Sequence, residues 1–428
     1  MMARALDIAP IAATKADAAS SGNGHAGADD WRTHLAPQGN GFVGDERNVL
    51  IALQKAPALM GLTRFNELAL SVELTRSPPW RPAATGDPWT ETDDTQCTAW
   101  LQAQSIKVRG TGAVADCVAV VAREQPFHPV REYLEALEWD TEPRLQIWLS
   151  DYLNARGNAQ YLAAIGARFM VSAIARILQP GCQADHVLVL EAAQGAGKTS
   201  AARTLAVRPQ WFAGDLPEIH SKDARLQLLG RWIVEVAELK AIRTSDLEAQ
   251  KSFITQTHDT FRPPYGRRAA QFPRQCVFIA TTNETEYLRD RSGNRRYWPV
   301  RCGRIDVAAL ERDRDQLWAE AVAQFRAGAA WHLTDAEAAL ANSEQHERVH
   351  VSELEQDVRQ YLASVVGDEV SVRDVLVYGL HLDPDNPTYT EAARKIGPAV
   401  ADALERCEWL KAGREGKSRR TVYRRRQE

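Results

Sequence analysis

Between Trp139 and Pro180 the apolar positions recur with the period of a helix. Leu145, Trp148, Leu149, Tyr152 and Leu153 fall at i, i+3, i+4, i+7 and i+8 and share one face, and Leu162, Ile165 and Phe169 continue the stripe. Aromatic residues at this spacing read as core packing, not as cofactor contacts. After Gly181 the pattern changes to unbroken apolar runs, His186–Leu190, Trp232–Val236 and Cys276–Ala280, separated by stretches of helical period. Continuous runs of that length are buried on both faces, as in parallel strands lying between layers of helices. The expected class is therefore α/β, with a three-layer αβα core preceded by a helical N-terminal region.

From Ser352 the helical period returns. Ser352 and Glu355 form a capping-box pair ahead of Leu354, Val358, Tyr361, Leu362 and Val365, Ser371 with Asp374 opens another helix, and a third is expected from Pro398 to Cys407. Beyond it Lys411, Arg414, Lys417, Arg419, Arg420, Arg424, Arg425 and Arg426 face a single acid, Glu415, and the interleaved Val422 and Tyr423 favour a strand. Three helices and a basic ribbon resemble a winged helix. At the other end, Ala12 to Asp30 is mostly Ala, Gly, Ser and Asp, too poor in large apolar groups to offset the entropy of ordering. Order is expected to begin near Asn48, with the prolines Pro78, Pro79, Pro82 and Pro88 joining two small units. The expected division is a disordered leader over 1–43, a small α+β or helical region over 44–135, a helical collar over 136–181, the α/β core over 182–332 and a basic helical domain over 333–428.

Composition narrows the function. The 428 residues are 44% hydrophobic, enough for a sizeable core, and 52 Lys and Arg against 56 Asp and Glu give a net charge of −4, so any nucleic-acid surface is local. The six cysteines lie far apart without a C-x-x-C pair, which argues against zinc or a disulfide frame and for a reducing cytoplasm. The start lacks the apolar stretch of a signal peptide, and no run of about 18 apolar residues is evident, so neither secretion nor a membrane span is expected.

The chemistry starts immediately after the first strand. Ala192-Ala193-Gln194-Gly195-Ala196-Gly197-Lys198-Thr199 fits G-x-x-x-x-G-K-[ST] except that Ala192 stands where the first Gly belongs. In such a loop Gln194, Gly195, Ala196, Gly197, Lys198, Thr199 and Ser200 wrap a polyphosphate. Lys198 reaches the terminal phosphates and Thr199 ligates Mg²⁺. Ala192 lacks the freedom of Gly at positive φ, which bears on affinity. Hydrolysis also requires an acid at a neighbouring strand end. Trp232-Ile233-Val234-Glu235-Val236-Ala237-Glu238 offers Glu235 and Glu238, one for the metal side and one for the base, without saying which.

A third strand ends in Thr281-Thr282-Asn283, placing Asn283 where it would orient water beside the γ-phosphate. Arg295 and Arg296 follow on an apparent loop, suited to stabilising charge on a phosphate held by a neighbouring subunit. Between these motifs Pro263-Pro264 and Gly266 mark a turn. Lys251, Arg262, Arg267 and Arg268 there could contact DNA phosphates, and Tyr265 could stack on a base. His128 and His258 lie near no metal-like partner and read as packing or surface residues.

These stretches, together with Phe127-His128-Pro129-Val130-Arg131-Glu132-Tyr133-Leu134, Lys222-Asp223-Ala224 and Gly293-Asn294-Arg295-Arg296, resemble the virulence-associated E family. That family is related to superfamily 3 helicases and to the helicase half of poxvirus-type primase-helicases, within the AAA+ P-loop ATPases. The resemblance spans roughly Asn48 to His332. It implies a ring-forming, hexameric ATPase that uses ATP and Mg²⁺ and acts on single-stranded or forked DNA in the replication of a phage or other mobile element. By resemblance Lys198 and Thr199 match the Walker A pair, Glu235 with Glu238 the Walker B segment, Asn283 the sensor, and Arg295 or Arg296 the arginine finger. The segment around Arg262 to Arg268 matches a channel hairpin, and priming would fall to a separate primase. The alternative is a DNA-binding regulator in which ATP acts as a switch and the basic C-terminal domain supplies the affinity.

Overall fold

The computed structural model describes residues 30–214, 222–237, 251–262, 268–288, 294–349, 353–415 and 420–426. The chain forms two compact units, one of residues 1–65 and 72–126, the other of 66–71 and 127–428.

The first unit packs the helices Glu46–Lys55, Glu91–Ala103 and Gly112–Arg123 around Val49, Leu53, Leu101, Val114 and Val118. Two expectations are corrected here. Trp31 and Leu35 are buried in this core, so the described structure reaches back to Asp30, well before residue 43; one tryptophan and one leucine outweigh a polar neighbourhood. The proline-rich stretch is not a joint between units either. Trp80 donates to Asp93 at 2.9 Å and Trp89 to Asp94 at 2.7 Å, which ties it down inside the first unit.

Five short strands come first in the chain, β1 (Pro37–Gln38), β2 (Gly41–Phe42), β3 (Thr63–Asn66), β4 (Ser71–Leu74) and β5 (Pro126–Phe127). In the second unit five parallel strands then form the sheet, β6 (Val187–Glu191), β7 (Phe212–Ala213), β8 (Ile233–Val236), β11 (Val277–Thr282) and β12 (Tyr297–Arg301), in the order β12-β6-β11-β8-β7. All three apolar runs of the sequence are strands of this sheet. Alternation along β6 serves two cores at once. Leu188 and Leu190 join Ile279, Trp298 and Val300 on one face, while Val187 and Val189 join Val234, Phe278 and Ala280 on the other. The result is a mixed α/β structure with both sheet faces covered.

The helix Ala159–Leu178, expected as part of a collar, packs in the same core as Leu188 and Trp298. Trp232 donates its indole N–H to the carbonyl of Ala173 on this helix at 3.0 Å. With 20 residues and a mean hydropathy of 1.5 this helix is long and apolar enough to cross a membrane, although Arg168 and Arg176 interrupt it and no unbroken apolar run of that length is present. Here it is a buried core helix, 72% of that stretch lying inside the protein. The helices Val307–Arg326 and Asp335–His346 also pack in this core, extending it beyond residue 332.

The C-terminal residues form a separate small core around Val358, Val375, Val400, Leu404 and Tyr423. It contains the helix Glu353–Ser364, the helix Tyr389–Arg406 and an antiparallel sheet of β13 (Glu369–Ser371), β14 (Trp409–Glu415) and β15 (Arg420–Arg425), order β13-β15-β14. Ser371 and Asp374 form the expected capping box, but only one α turn, Val372–Asp374, follows before a wider turn over Val375–Gly379. The last helix starts at Tyr389, not Pro398. Pro398 sits inside it, where its ring costs one backbone hydrogen bond, and burial of Val400, Ala403 and Leu404 carries the helix through.

Candidate functional site

Because the strands are parallel, their carboxyl ends share one edge: Glu191 of β6 lies opposite Thr282 of β11 and Arg301 of β12. The glycine-rich loop leaves β6 at this edge and enters the helix Lys198–Leu205. Gly195 at φ +81° and Gly197 at φ +99° occupy the left-handed region that side chains avoid. Gly197 is also the N-cap and has no side chain to occupy the helix's first N–H groups, which stay directed into the loop. Ala192 is absent from the non-glycine residues with positive φ, so the departure from Gly carries no backbone strain.

Lys198 is buried at the centre of the loop. Its ammonium donates to the carbonyls of Ala192 at 2.6 Å and Ala193 at 3.1 Å and to Asn283 Oδ1 at 2.8 Å. Burial lowers its pKa from the usual lysine value, and the charge of Glu235 partly offsets this. Thr199 donates its hydroxyl to Glu235 Oε1 at 2.7 Å, and Thr281 donates to the same oxygen at 2.9 Å. The sheet thus converges four sequence-identified residues, Lys198, Thr199, Glu235 and Asn283, on one cluster. Thr281 is a fifth that its neighbours in the Thr-Thr-Asn run could have suggested.

These groups could hold a polyphosphate and a hard cation: the Lys198 ammonium, now bonded to three protein oxygens, could bond phosphate oxygens, and the Thr199 hydroxyl beside the buried Glu235 carboxylate is a hard-oxygen pair of the kind Mg²⁺ takes. The loop after β12 supports this arrangement from below. Cys302 donates its backbone N–H to the Glu191 carbonyl at 2.8 Å, Ile305 donates to the Ala196 carbonyl at 3.2 Å, and the Gly197 backbone lies against Ile305 and Val307. Burial pushes the Cys302 thiol up to about 12, so it stays protonated.

The remaining sites fall elsewhere. Arg295 and Arg296 form a short 3₁₀ turn before β12, whose first residue, Tyr297, pairs with Val187 at the start of β6. At about 3.3 Å per residue they lie about 20 Å from the loop of their own chain, at the opposite edge of the sheet. Glu238 lies outside the described residues, as do Tyr265 and Arg267.

The segment expected as a hairpin is one: β9 (His258–Phe261) pairs antiparallel with β10 (Ala270–Pro273), and Phe261 stacks on Phe272 at 4.7 Å. Arg274 holds its base, donating to both oxygens of Asp259 at 2.6 and 2.9 Å. Arg262 and the exposed Arg268 bound residues 263–267, which lie outside the described residues. Lys251 is corrected: it is buried, in a helical stretch over 251–255, and is no surface cation. His128 caps the helix Pro129–Glu135, accepting from the Arg131 N–H at 3.2 Å, and contacts Gln275 at 2.6 Å; His258 is exposed on the hairpin.

Fold and site together define an α/β protein built on a parallel sheet with a glycine-rich loop at its carboxyl edge. The chain belongs to the family with a virulence-associated protein E-like domain, whose model matches residues 134–350, just over half of its length. No curated protein matches it. Among solved structures it is similar to the apo form of the NrS-1 C terminal region, at 12% identity and TM-score 0.43, covering 85% of this chain and 95% of that one. An A form of the same region gives 11% identity, TM-score 0.41 and coverages of 85% and 96%.

Proposed function

We propose that the protein is an ATP-driven DNA helicase or translocase, or a replication-initiation ATPase, of a phage or other mobile element, working as a ring of identical subunits. The observation that carries this reading is the convergence of Lys198, Thr199, Glu235 and Asn283 on one cluster at the carboxyl edge of the sheet. Family membership supports the same class. A P-loop AAA+ core accounts for a loop strand separated from the Glu235 strand by the strand that ends in Asn283. A winged-helix-like domain accounts for the C-terminal helices and three-stranded sheet.

Lys198 and the open N–H groups of its helix would hold the β- and γ-phosphates of ATP, and Thr199 with Glu235 would hold Mg²⁺. The metal supplies neutralisation of charge on the phosphate oxygens. Thr281, bonded to Glu235, would orient its carboxylate, and Asn283, bonded to Lys198, would position water at the terminal phosphate. Arg295 and Arg296 lie on the far edge of the sheet from their own loop, which supports a role for one of them at a neighbouring subunit's site. The hairpin carrying Arg262 and Arg268 supplies a DNA contact in the ring.

The test is ATP turnover with and without single-stranded and forked DNA, together with the mass of the assembly. DNA-stimulated turnover by an oligomer is expected. Nucleotide binding with no turnover under any of these conditions would favour an ATP-switched regulator instead.

A further inference from the structure

The C-terminal core carries an arginine-walled groove that the nucleotide chemistry does not use. Arg359 of the helix Glu353–Ser364, Arg406 at the end of the helix Tyr389–Arg406, and Arg425 and Arg426 around the end of β15 line a cavity of about 430 Å³, together with Glu408, Trp409 and a smaller apolar portion of the same helices. Strand alternation puts the arginines there. Tyr423 points into the core, and Arg425, two residues on and therefore on the same face, extends past the core's rim into the groove. Arg424 points the other way and is tied to Glu369 at 2.6 Å.

Glu355 is buried beneath the groove, accepts from Arg359 at 2.8 Å and lies 3.4 Å from Arg406, which fixes two of the guanidiniums. Arg425 and Arg426 are exposed and have no acidic partner among the described residues. Counting Glu355 and Glu408 against the four arginines leaves two positive charges in excess, converging on one concavity. Like charges held this close repel one another, and an anion presenting several oxygens relieves that repulsion, phosphate being the group a guanidinium fork matches best. Trp409 is only 5% exposed and closed to base stacking, so the groove offers charge and hydrogen bonds to a backbone and nothing that reads a base.

We propose that this groove binds the sugar–phosphate backbone of DNA without sequence preference, as an anchoring site separate from the β9–β10 hairpin; the proposal rests on DNA being the partner in the function above. The experiment is fluorescence anisotropy of the full chain with labelled single-stranded and duplex oligonucleotides of unrelated sequence over a salt series. R425Q/R426Q should reduce the slope of log affinity against log salt by about 1.4 to 1.8 and the affinity at ~0.1 M salt by about tenfold, equally for all sequences. R47Q/R326Q, which removes the same charge from exposed helix positions elsewhere, should leave both unchanged. Should the double variant melt early, R426Q alone, just beyond β15, should give about half the change in slope. Unchanged slope and affinity in the arginine variants, or an equal loss in R47Q/R326Q, overturns the groove assignment while leaving the proposed function intact. Failure of the wild-type chain to bind any oligonucleotide overturns both.

Discussion

Glu191, the last residue of the strand that enters the glycine-rich loop, is held in a buried ion pair by Arg348, 157 positions later: Nε meets Oε1 at 2.9 Å and Nη2 meets Oε2 at 3.2 Å. Tyr287 donates its hydroxyl to the same Oε1 at 2.7 Å, and the backbone N–H groups of Tyr287 and Leu288 donate to the Arg348 carbonyl at 3.2 and 3.0 Å. Burial works to lower the Arg348 pKa, but the bonds and charges of Glu191 and Glu344 outweigh it and raise it, and burial raises the Tyr287 hydroxyl well above its usual value. One arginine therefore ties the base of the loop to the segment that follows Asn283. R348M should lower unfolding stability by about 3–5 kcal/mol, because Glu191 stays buried without its counter-charge. E191Q should cost less, since Arg348 keeps Glu344 at 2.6 Å. A loss under about 1 kcal/mol in R348M, measured by urea unfolding, would contradict this account.

At the site itself, K198A should reduce ATP turnover by at least about 10²–10³-fold, as expected for loss of a buried, preorganised cation. T281V is the more discriminating change. Glu235 loses one of its two hydroxyl donors while every group placed to touch nucleotide stays, so turnover should fall with little change in nucleotide affinity. Calorimetric binding alongside steady-state kinetics checks this. A parallel loss of affinity and turnover would assign Thr281 to nucleotide binding.

R296A should lower turnover only in assembled rings. Mixing R296A with K198A subunits should restore part of the activity, because a subunit with an intact loop then meets a neighbour with an intact arginine. A monomer that hydrolyses ATP at the full rate would refute the assignment across the seam.

Acid sensitivity should trace in part to His186, which stacks on Trp298 at 3.8 Å with its ring nitrogen 2.9 Å from the Ser172 hydroxyl. Burial lowers its pKa from 6.5 to about 3. The unfolded chain takes up this proton near pH 6.5 and the folded chain only near pH 3. Stability is therefore insensitive to the group above that window and falls as pH drops through it, by up to about 1.4 kcal/mol per pH unit. H186F should flatten that part of the stability profile; an unchanged acid slope would point to other groups.

The strands and the loop were legible because each is local: continuous apolar runs specify strands buried on both faces, and Gly195, Gly197, Lys198 and Thr199 carry their chemistry within a few residues. The antiparallel pairing of β9 with β10 was also visible, from the turn residues Pro263-Pro264 and Gly266 between them. Lys251 was misread for a physical reason, since a lysine in a polar sequence gives no sign that the fold will bury it. The extent of the ordered N-terminal region was missed because two apolar side chains, Trp31 and Leu35, decide it against the composition around them.

The amino-acid order alone determined that a parallel α/β core exists, where its glycine-rich loop lies and which residue types could handle phosphate, because these follow from period and spacing along a few neighbouring positions. Only the tertiary structure decided that Glu235 receives both Thr199 and Thr281, that Arg348 reaches back to Glu191, and that Arg359, Arg406, Arg425 and Arg426 share one groove. Those pairings join residues tens to more than a hundred positions apart. Strand order and helix packing bring them together, and no local pattern encodes which distant partner a buried charge will find.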